Sequence, residues 1–167
     1  MVAACVLALG VAACGGDDDD TVRTATSPEE ALGRAGGAVV TVDYSQPEGK
    51  IVPIFDRFSS RYPTVSLETV SGTDDSNADE LLGQGTQAHD DVFLATDEQV
   101  LQRLAAEGVL APLPQALRDL GTNGDPQGRW ARMGGGLGYA AIVKGTDVPE
   151  EARSFVRFVL EQADTAG

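Results

Sequence analysis

The stretch from Ala38 to Glu48 most constrains what this chain can fold into. Its first half, residues 39–42, is apolar and β-branched, and such side chains fit a strand that is covered on both faces. Its second half turns polar at Asp43 and leads into an amphipathic helical pattern. Such a strand, loop and helix open a β-α unit. Because open α/β sheets bind ligands beyond the carboxyl ends of their strands, we expect the site on this loop and its counterparts.

The rest of the chain alternates between strand and helix patterns. Pro63 ends the first helix, since the residue before a proline disfavours helical backbone, and Asp97 can cap a later helix. This alternation specifies an α/β fold of three layers, with a mainly parallel sheet flanked by helices. We expect helices over 51–62, 78–82, 98–107, 117–120 and 149–162, strands over 64–70, 92–95 and 139–144 with Tyr139 in the core, and a loop over 121–136 with Trp130 packed as an anchor.

Composition excludes several classes of function. The net charge of −14 argues against nucleic acid or an anionic membrane surface as a partner, because both attract basic patches. The body from Gly15 onward has no cysteine, so it forms no internal disulfide and no thiolate metal site. One histidine, His89, placed before the third strand and away from the crevice, leaves little for nucleophilic catalysis. We therefore do not expect an enzyme.

The N-terminus has the features of a targeting segment. Residues 1–13 form an apolar run, shorter than the roughly 20 residues that a transmembrane helix needs. The run ends in V-A-A-C-G at residues 11–15, which resembles the lipobox of bacterial lipoproteins. We expect residues 1–14 to be a lipoprotein signal peptide with Cys14 lipidated, and residues 15–36 to be a disordered acidic tether. A cleaved secretory signal with an incidental cysteine is the alternative.

The body resembles the iron(III)-type substrate-binding proteins of ABC transporters. The resemblance rests mainly on DDVFLATDEQVLQRLAAEGVLAPLP at residues 90–114 and on GGLGYAAIVKGTDVPEEARSFVRFVLEQ at residues 135–162. YSQPE at 44–48, SGTDD at 71–75 and GRW at 128–130 add to it. The resemblance implies an extracytoplasmic, lipid-anchored, solute-binding component of an importer. Its partners would be a permease and a small inorganic ligand, ferric iron.

The chain departs from the family in its domain organisation. Members have two α/β lobes that close on the ligand, whereas this chain passes from Arg132 through glycines 134–136 directly to the closing segment. We therefore expect a monomer with one lobe over residues 37–167. Residues 37–132 would form its first β-α units, and residues 133–167 the returning strand and C-terminal helix. The family's paired tyrosines, which bind Fe(III) as phenolates, belong to the lobe without a counterpart, so the site would be a half-site.

Candidate ligands follow from the resemblance and from position. Fe(III) is a hard cation that prefers oxygen ligands. The resemblance implies Glu48 and Asp75 as metal ligands on the loops after the first and second strands. The ligand-contacting candidates are Tyr44, Ser45, Gln46, Asp75 and Asp97. Each polar residue among them has an alternative role as a turn former or helix cap, and Tyr44 could simply pack in the core.

Two alternative functions remain open. A single-lobe interaction module, or a non-functional remnant, could dock on a permease without holding a ligand. A different small solute, such as an oxyanion, a sugar phosphate or an organic acid, could occupy the same scaffold. The acidic candidates near the crevice argue mildly against anions.

Overall fold

The structure is a computed structural model that describes residues 37–85, 89–122 and 124–165. The predicted signal peptide, Cys14 and the tether at 15–36 lie outside the described residues. In the described part of the chain, no helix is long and apolar enough to cross a membrane. The elements are β1 (Ala38–Tyr44), α1 (Glu48–Arg61), β2 (Val65–Ser71), α2 (Asp74–Gln84), β3 (Val92–Ala95), α3 (Glu98–Ala106), α4 (Gln115–Arg118), β4 (Trp130–Met133), β5 (Gly138–Ile142) and α5 (Pro149–Thr165).

The strands form one mixed sheet in the order β2-β1-β3-β5-β4. β1 is central to the parallel half, because it pairs in parallel with both β2 and β3. β5 runs antiparallel to β3 and to β4. Helices cover both faces, so the predicted α/β lobe is confirmed. The sheet is divided between parallel and antiparallel pairings because the returning strand enters it as part of a hairpin.

The core forms two layers of apolar contacts, one on each face of the sheet. α1 and α5 cover one face, where Phe58 packs edge-to-face on Phe155 with ring centroids 5.0 Å apart. α2 and α3 cover the other face, around the fully buried Phe93. The aromatic pairs between α1 and α5 contribute about 0.5–1.5 kcal/mol each beyond the area that they bury. These contacts fix both helices on the sheet.

The first β-α unit differs from its prediction in where its strand ends and where its helix begins. The polar loop predicted from Asp43 begins only after Tyr44, since β1 includes both residues and buries them. α1 begins at Glu48, three residues before the predicted start, so Pro53 lies in the second turn of the helix. The strand extends because both of its neighbours pair with it over Asp43 and Tyr44. Tertiary pairing here overrides local polarity.

The prediction of a continuous loop over residues 121–136 is wrong, because Trp130–Met133 forms the edge strand β4. Trp130 and Met133 are buried and Arg132 is exposed. The turn at 134–137 joins β4 to β5 as a hairpin. A four-residue strand between glycine-rich flanks carries too little periodicity to be recognised from the sequence. The predicted burial of Trp130 is confirmed.

Gly138 permits the close contact between β5 and the end of β3. Its φ is 90°, and a Cβ built there would lie 2.1 Å from the carbonyl oxygen of Ala95. We expect Gly138→Ala to lower the free energy of unfolding by about 2–4 kcal/mol, because it adds backbone strain to a steric overlap. Urea unfolding measures this. As a control, Gly49→Ala in α1 meets nothing within 4 Å and should raise stability by up to about 1 kcal/mol. Equal stability of the two variants would contradict the tight packing at Gly138.

Candidate functional site

Five chain segments meet at one edge of the sheet. The carboxyl ends of β1, β2 and β3 lie there, as the pairing of Tyr44 with Ser71 and with Leu94 shows. Because β5 is antiparallel to β3, its first residues lie at the same edge, with Tyr139 opposite Ala95. The end of β4 is adjacent. This edge, here called the crevice edge, consists of residues 45–48, 72–75, 96–98, 132–133 and 138–139.

The carboxylate of Asp74 connects the segments of the crevice edge. It accepts hydrogen bonds from the backbone N–H of Asp97 at 2.9 Å, from the N–H of Thr96 at 3.1 Å and from the Thr96 hydroxyl at 2.5 Å. The hydroxyl of Ser45 donates a further short hydrogen bond to it. Asp74 is the first residue of α2, where the helix dipole favours a negative charge. One side chain therefore holds together the loops that follow β1, β2 and β3.

The start of α2 is set by its own sequence. Thr73 caps the helix and forms a capping box with Ser76, whose N–H lies 3.1 Å from the Thr73 hydroxyl oxygen. The buried Asn77 donates a hydrogen bond of 3.2 Å to the carbonyl oxygen of Tyr44. Gly72 is required beside it, because a Cβ there would lie 1.9 Å from Asn77 Oδ1. These contacts place the N-terminus of α2, and hence Asp74, at the crevice edge.

Two of the predicted ligand-contacting residues are buried. Tyr44 is 5% exposed, and its ring packs edge-to-face on Phe55. Gln46 is 3% exposed; its Nε2 donates a hydrogen bond to the Leu137 carbonyl oxygen at 3.0 Å, and its Oε1 accepts one from the Ser45 N–H at 3.3 Å. Both side chains hold the loop after β1 in place. Of the predicted residues, Ser45 contacts Asp74 through its hydroxyl and Asp97 contacts it through its backbone N–H.

The predicted metal ligands Glu48 and Asp75 lie in the first turns of two different helices. Glu48 is exposed in the first turn of α1, and Asp75 is exposed on α2, where its carboxylate lies 3.6 Å from the guanidinium of Arg103. These helices lie on opposite faces of the sheet. Asp97 caps α3 by accepting a hydrogen bond from the Gln99 N–H at 2.9 Å. Within residues 37–85, 89–122 and 124–165, no group of three or more His, Cys, Asp or Glu side chains could hold a metal ion.

A second polar cluster at the crevice edge is centred on Glu98. Its carboxylate accepts hydrogen bonds from the indole N–H of Trp130 at 3.2 Å and from the hydroxyl of Tyr139 at 3.3 Å. Burial, together with the nearby Glu98 carboxylate, raises the pKa of the Tyr139 phenol. The guanidinium carbon of Arg132 lies 6.0 Å from the centre of the Tyr139 ring. The cluster therefore combines a carboxylate, a phenol and a cation.

Sequence reasoning missed this cluster for an identifiable reason. Tyr139 was expected in the core but is half-buried at the crevice edge. Its proximity to Glu98 depends on the antiparallel register between β5 and β3, which residue patterns alone do not give. His89 lies before the amino end of β3, away from the crevice edge, as predicted.

Several solved structures resemble this chain, among them iron-binding proteins and the substrate binding domain of a putative transporter. Iron-bound HitA from Pseudomonas aeruginosa is 21% identical with a TM-score of 0.55, and covers 58% of this chain and 32% of its own. The ferric binding protein from Campylobacter jejuni is 13% identical with a TM-score of 0.52, at 57% and 31% coverage. The substrate binding domain of a putative molybdenum ABC transporter from Clostridium difficile is 11% identical with a TM-score of 0.54, at 77% and 95% coverage.

These similarities establish the fold. The chain has the fold of a single lobe of the periplasmic-binding-protein type. It spans about a third of the ferric-binding structures that it matches and nearly all of the Clostridium difficile domain. The sequence matches no family model and no curated protein. The structural likeness thus supports a compact lobe with a crevice edge and leaves the ligand to be inferred from the chemistry of that edge.

The central role of Asp74 can be tested against its neighbour. We expect Asp74→Asn to lower the free energy of unfolding by about 2–3 kcal/mol, because it places an amide against several hydrogen-bond donors and removes charge-assisted bonds. Asp75→Asn removes the same charge from the same turn but breaks only an exposed ion pair, so it should cost less than about 1 kcal/mol. Urea unfolding of both variants measures the difference. Equal losses would show that Asp74 acts through helix charge alone.

Proposed function

We propose that this chain is a solute-binding lobe of an ABC importer and that it holds its solute at the crevice edge. The observation that carries the proposal is the Asp74 carboxylate, which gathers three loops beyond the carboxyl ends of three parallel strands. This is where open α/β sheets bind ligands. The fold of the lobe and the substrate-binding proteins that resemble it support the same role.

We propose ferric iron as the solute. The side chains near the cluster at Glu98 offer hard oxygen atoms: the carboxylates of Asp97 and Glu98 and the phenol of Tyr139. Hard cations prefer such atoms over nitrogen and sulfur. HitA and the Campylobacter jejuni protein are named for iron, which supports this ligand. Glu48 and Asp75 remain predicted metal ligands at the first turns of their helices. With so few converging ligands, a single lobe would bind iron weakly.

An oxyanion is the second candidate solute. One neighbour of this fold is named for molybdenum, and Arg132 supplies an exposed positive charge beside Tyr139. The carboxylates at the crevice edge oppose an anion, which is why the cation is preferred. Titration with ferric iron and with molybdate distinguishes the two.

Titration of the purified chain with ferric nitrilotriacetate tests the proposal. We expect saturable binding that Glu98→Gln weakens by about tenfold or more, because the variant removes a charged oxygen ligand. Glu107→Gln, an exposed carboxylate at the far end of the same helix, is the matched control and should leave binding unchanged. A visible charge-transfer band that is lost in Tyr139→Phe would identify the phenolate as a ligand.

The alternative outcomes of this titration are distinct. Saturable binding of molybdate without binding of iron would replace the cation with an oxyanion and keep the solute-binding role. A chain that unfolds cooperatively but binds neither would contradict solute binding by the single lobe. It would favour an interaction module that docks on a permease.

The proposed role places the chain outside the cytoplasm, as a monomer with the importer's permease as partner and Cys14 as its lipid anchor. We expect Cys14→Ser to move the protein from the membrane fraction to the soluble fraction of expressing cells, because it removes the site of lipid attachment. Fractionation followed by immunoblotting measures this, with Cys5→Ser as the matched control. Membrane association that survives in the Cys14 variant would contradict the anchor.

A further inference from the structure

Two carboxylates are buried beneath α2, on the face of the sheet that α2 and α3 cover. Asp43 of β1 is 3% exposed, and its partner in the register is Phe93, which packs in the core of that face. Asp90, which lies just before β3, is 7% exposed. The Oδ2 atom of Asp90 is inaccessible to solvent and has no hydrogen-bond partner in the described part of the chain. Asp43 and Asp90 are here called the buried acid pair.

The electrostatic surroundings of this pair disfavour two negative charges. Burial is the largest effect and, with repulsion from Asp90 and from Glu80 of α2, raises the pKa of Asp43 to about 7. Burial also raises the pKa of Asp90, with further contributions from Glu80 and Asp91, while His89 opposes the shift. A buried charge is normally paired with an opposite charge. Apart from His89, the groups that act on this pair are all acidic.

We propose that the buried acid pair holds one proton at neutral pH, and that the loss of this proton loosens α2 and with it the crevice edge. The pair would thus act as a pH-sensitive device built into the first strand. It does not depend on which solute the crevice edge binds, or on whether it binds one.

The position of Asp43 connects this proton to the packing of α2. The next residue, Tyr44, offers the carbonyl oxygen that accepts hydrogen bonds from the Gly72 N–H at 3.1 Å and from the Asn77 side chain at 3.2 Å. These two bonds attach the N-terminal end of α2 to β1. At the same end, Asp74 holds the loops of the crevice edge together. A charge that appears at Asp43 therefore arises one residue from the attachment point.

Among the helices α1, α2, α3 and α5, α2 has the fewest buried residues. Its buried residues are Asn77, Ala78 and Leu81, whereas α1 buries Ile51, Ile54, Phe55 and Phe58. Helices that bury few apolar groups open locally at lower free energy than the rest of a fold. Opening of α2 would give Asp43 access to water and relieve its repulsion by Glu80. We therefore expect α2 to respond before the rest of the lobe.

The direction of the pH effect follows from linkage. The folded form binds the proton of Asp43 more tightly than the unfolded form, whose carboxyl has the ordinary pKa of 3.8. The stabilisation is therefore fully present below that value and is lost as the pH rises through about 7. Raising the pH from 5.5 to 8.5 should increase the opening of α2.

Hydrogen exchange of the full chain, measured by mass spectrometry and corrected for the intrinsic rate, tests the proposal. We expect the α2 amides to open about thirtyfold more often at pH 8.5 than at pH 5.5, while the α1 amides stay unchanged. This factor follows from linkage for a carboxyl with a pKa of about 7 in the closed form and of 3.8 in the open form. Asp43→Asn should abolish this difference, because its amide carries no titrating charge. Asp56→Asn, an exposed carboxylate on α1, is the matched control and should keep the wild-type response.

Two further measurements keep the outcome decisive if Asp43→Asn does not fold. Asp90→Asn removes the repulsion from the other carboxylate and should move the pH response of α2 to lower pH, because burial alone still raises the pKa of Asp43. In carbon-13 NMR of the wild-type carboxyl groups, one Asp should titrate near neutral pH. The proposal is overturned if α2 exchange does not depend on pH, if the wild-type dependence survives unchanged in a folded variant of the pair, or if every Asp titrates near its ordinary value.

Discussion

The structure depends most on the contact between the Asp74 carboxylate and the loops that follow β1 and β3. Parallel strands cannot be joined by tight turns, so their carboxyl ends need another connection if the loops beyond them are to keep one shape. Asp74 supplies it through hydrogen bonds to Ser45, Thr96 and Asp97. Its place at the N-terminus of α2 lets the helix dipole stabilise the charge. The geometry of the candidate site is thus fixed by one side chain that belongs to the scaffold itself.

Sequence reasoning predicted most of the scaffold and the location of the site, but not its contacts. The apolar run at 39–42, the spacing within α1 and the cap at Asp97 carry local signals that the structure confirms in type. Asp74 connects the loops of the crevice edge because its carboxylate faces Thr96, whereas the carboxylate of Asp75 faces Arg103. That choice is made by the rotation of α2 on the sheet. It is a property of packing, which residue patterns do not contain.

Two neighbouring regions of the fold differ in how they accommodate negative charge. At the crevice edge, Asp74 and Glu98 are compensated by hydrogen-bond donors and remain partly exposed. Beneath α2, Asp43 and Asp90 are buried among other acids. The end of β1 joins both regions, since Asp43 lies in the strand and Ser45 directly follows its last residue, Tyr44. The strand with the clearest apolar start therefore also carries a buried carboxyl whose pKa is raised to about 7, at the residue where the pattern first turns polar.

The hairpin of β4 and β5 has a consequence for how such a lobe can be extended. Its turn at 134–137 contains the exposed Gly135 and Gly136, and the two strands enter and leave it side by side at the crevice edge. Exposed glycine turns of this kind tolerate inserted domains, because the flanking strands need not move apart. A polypeptide inserted there would emerge at the crevice edge, close to Tyr139. A domain inserted at this turn could therefore cover the crevice edge and enclose a bound solute, while the sheet itself stays unchanged.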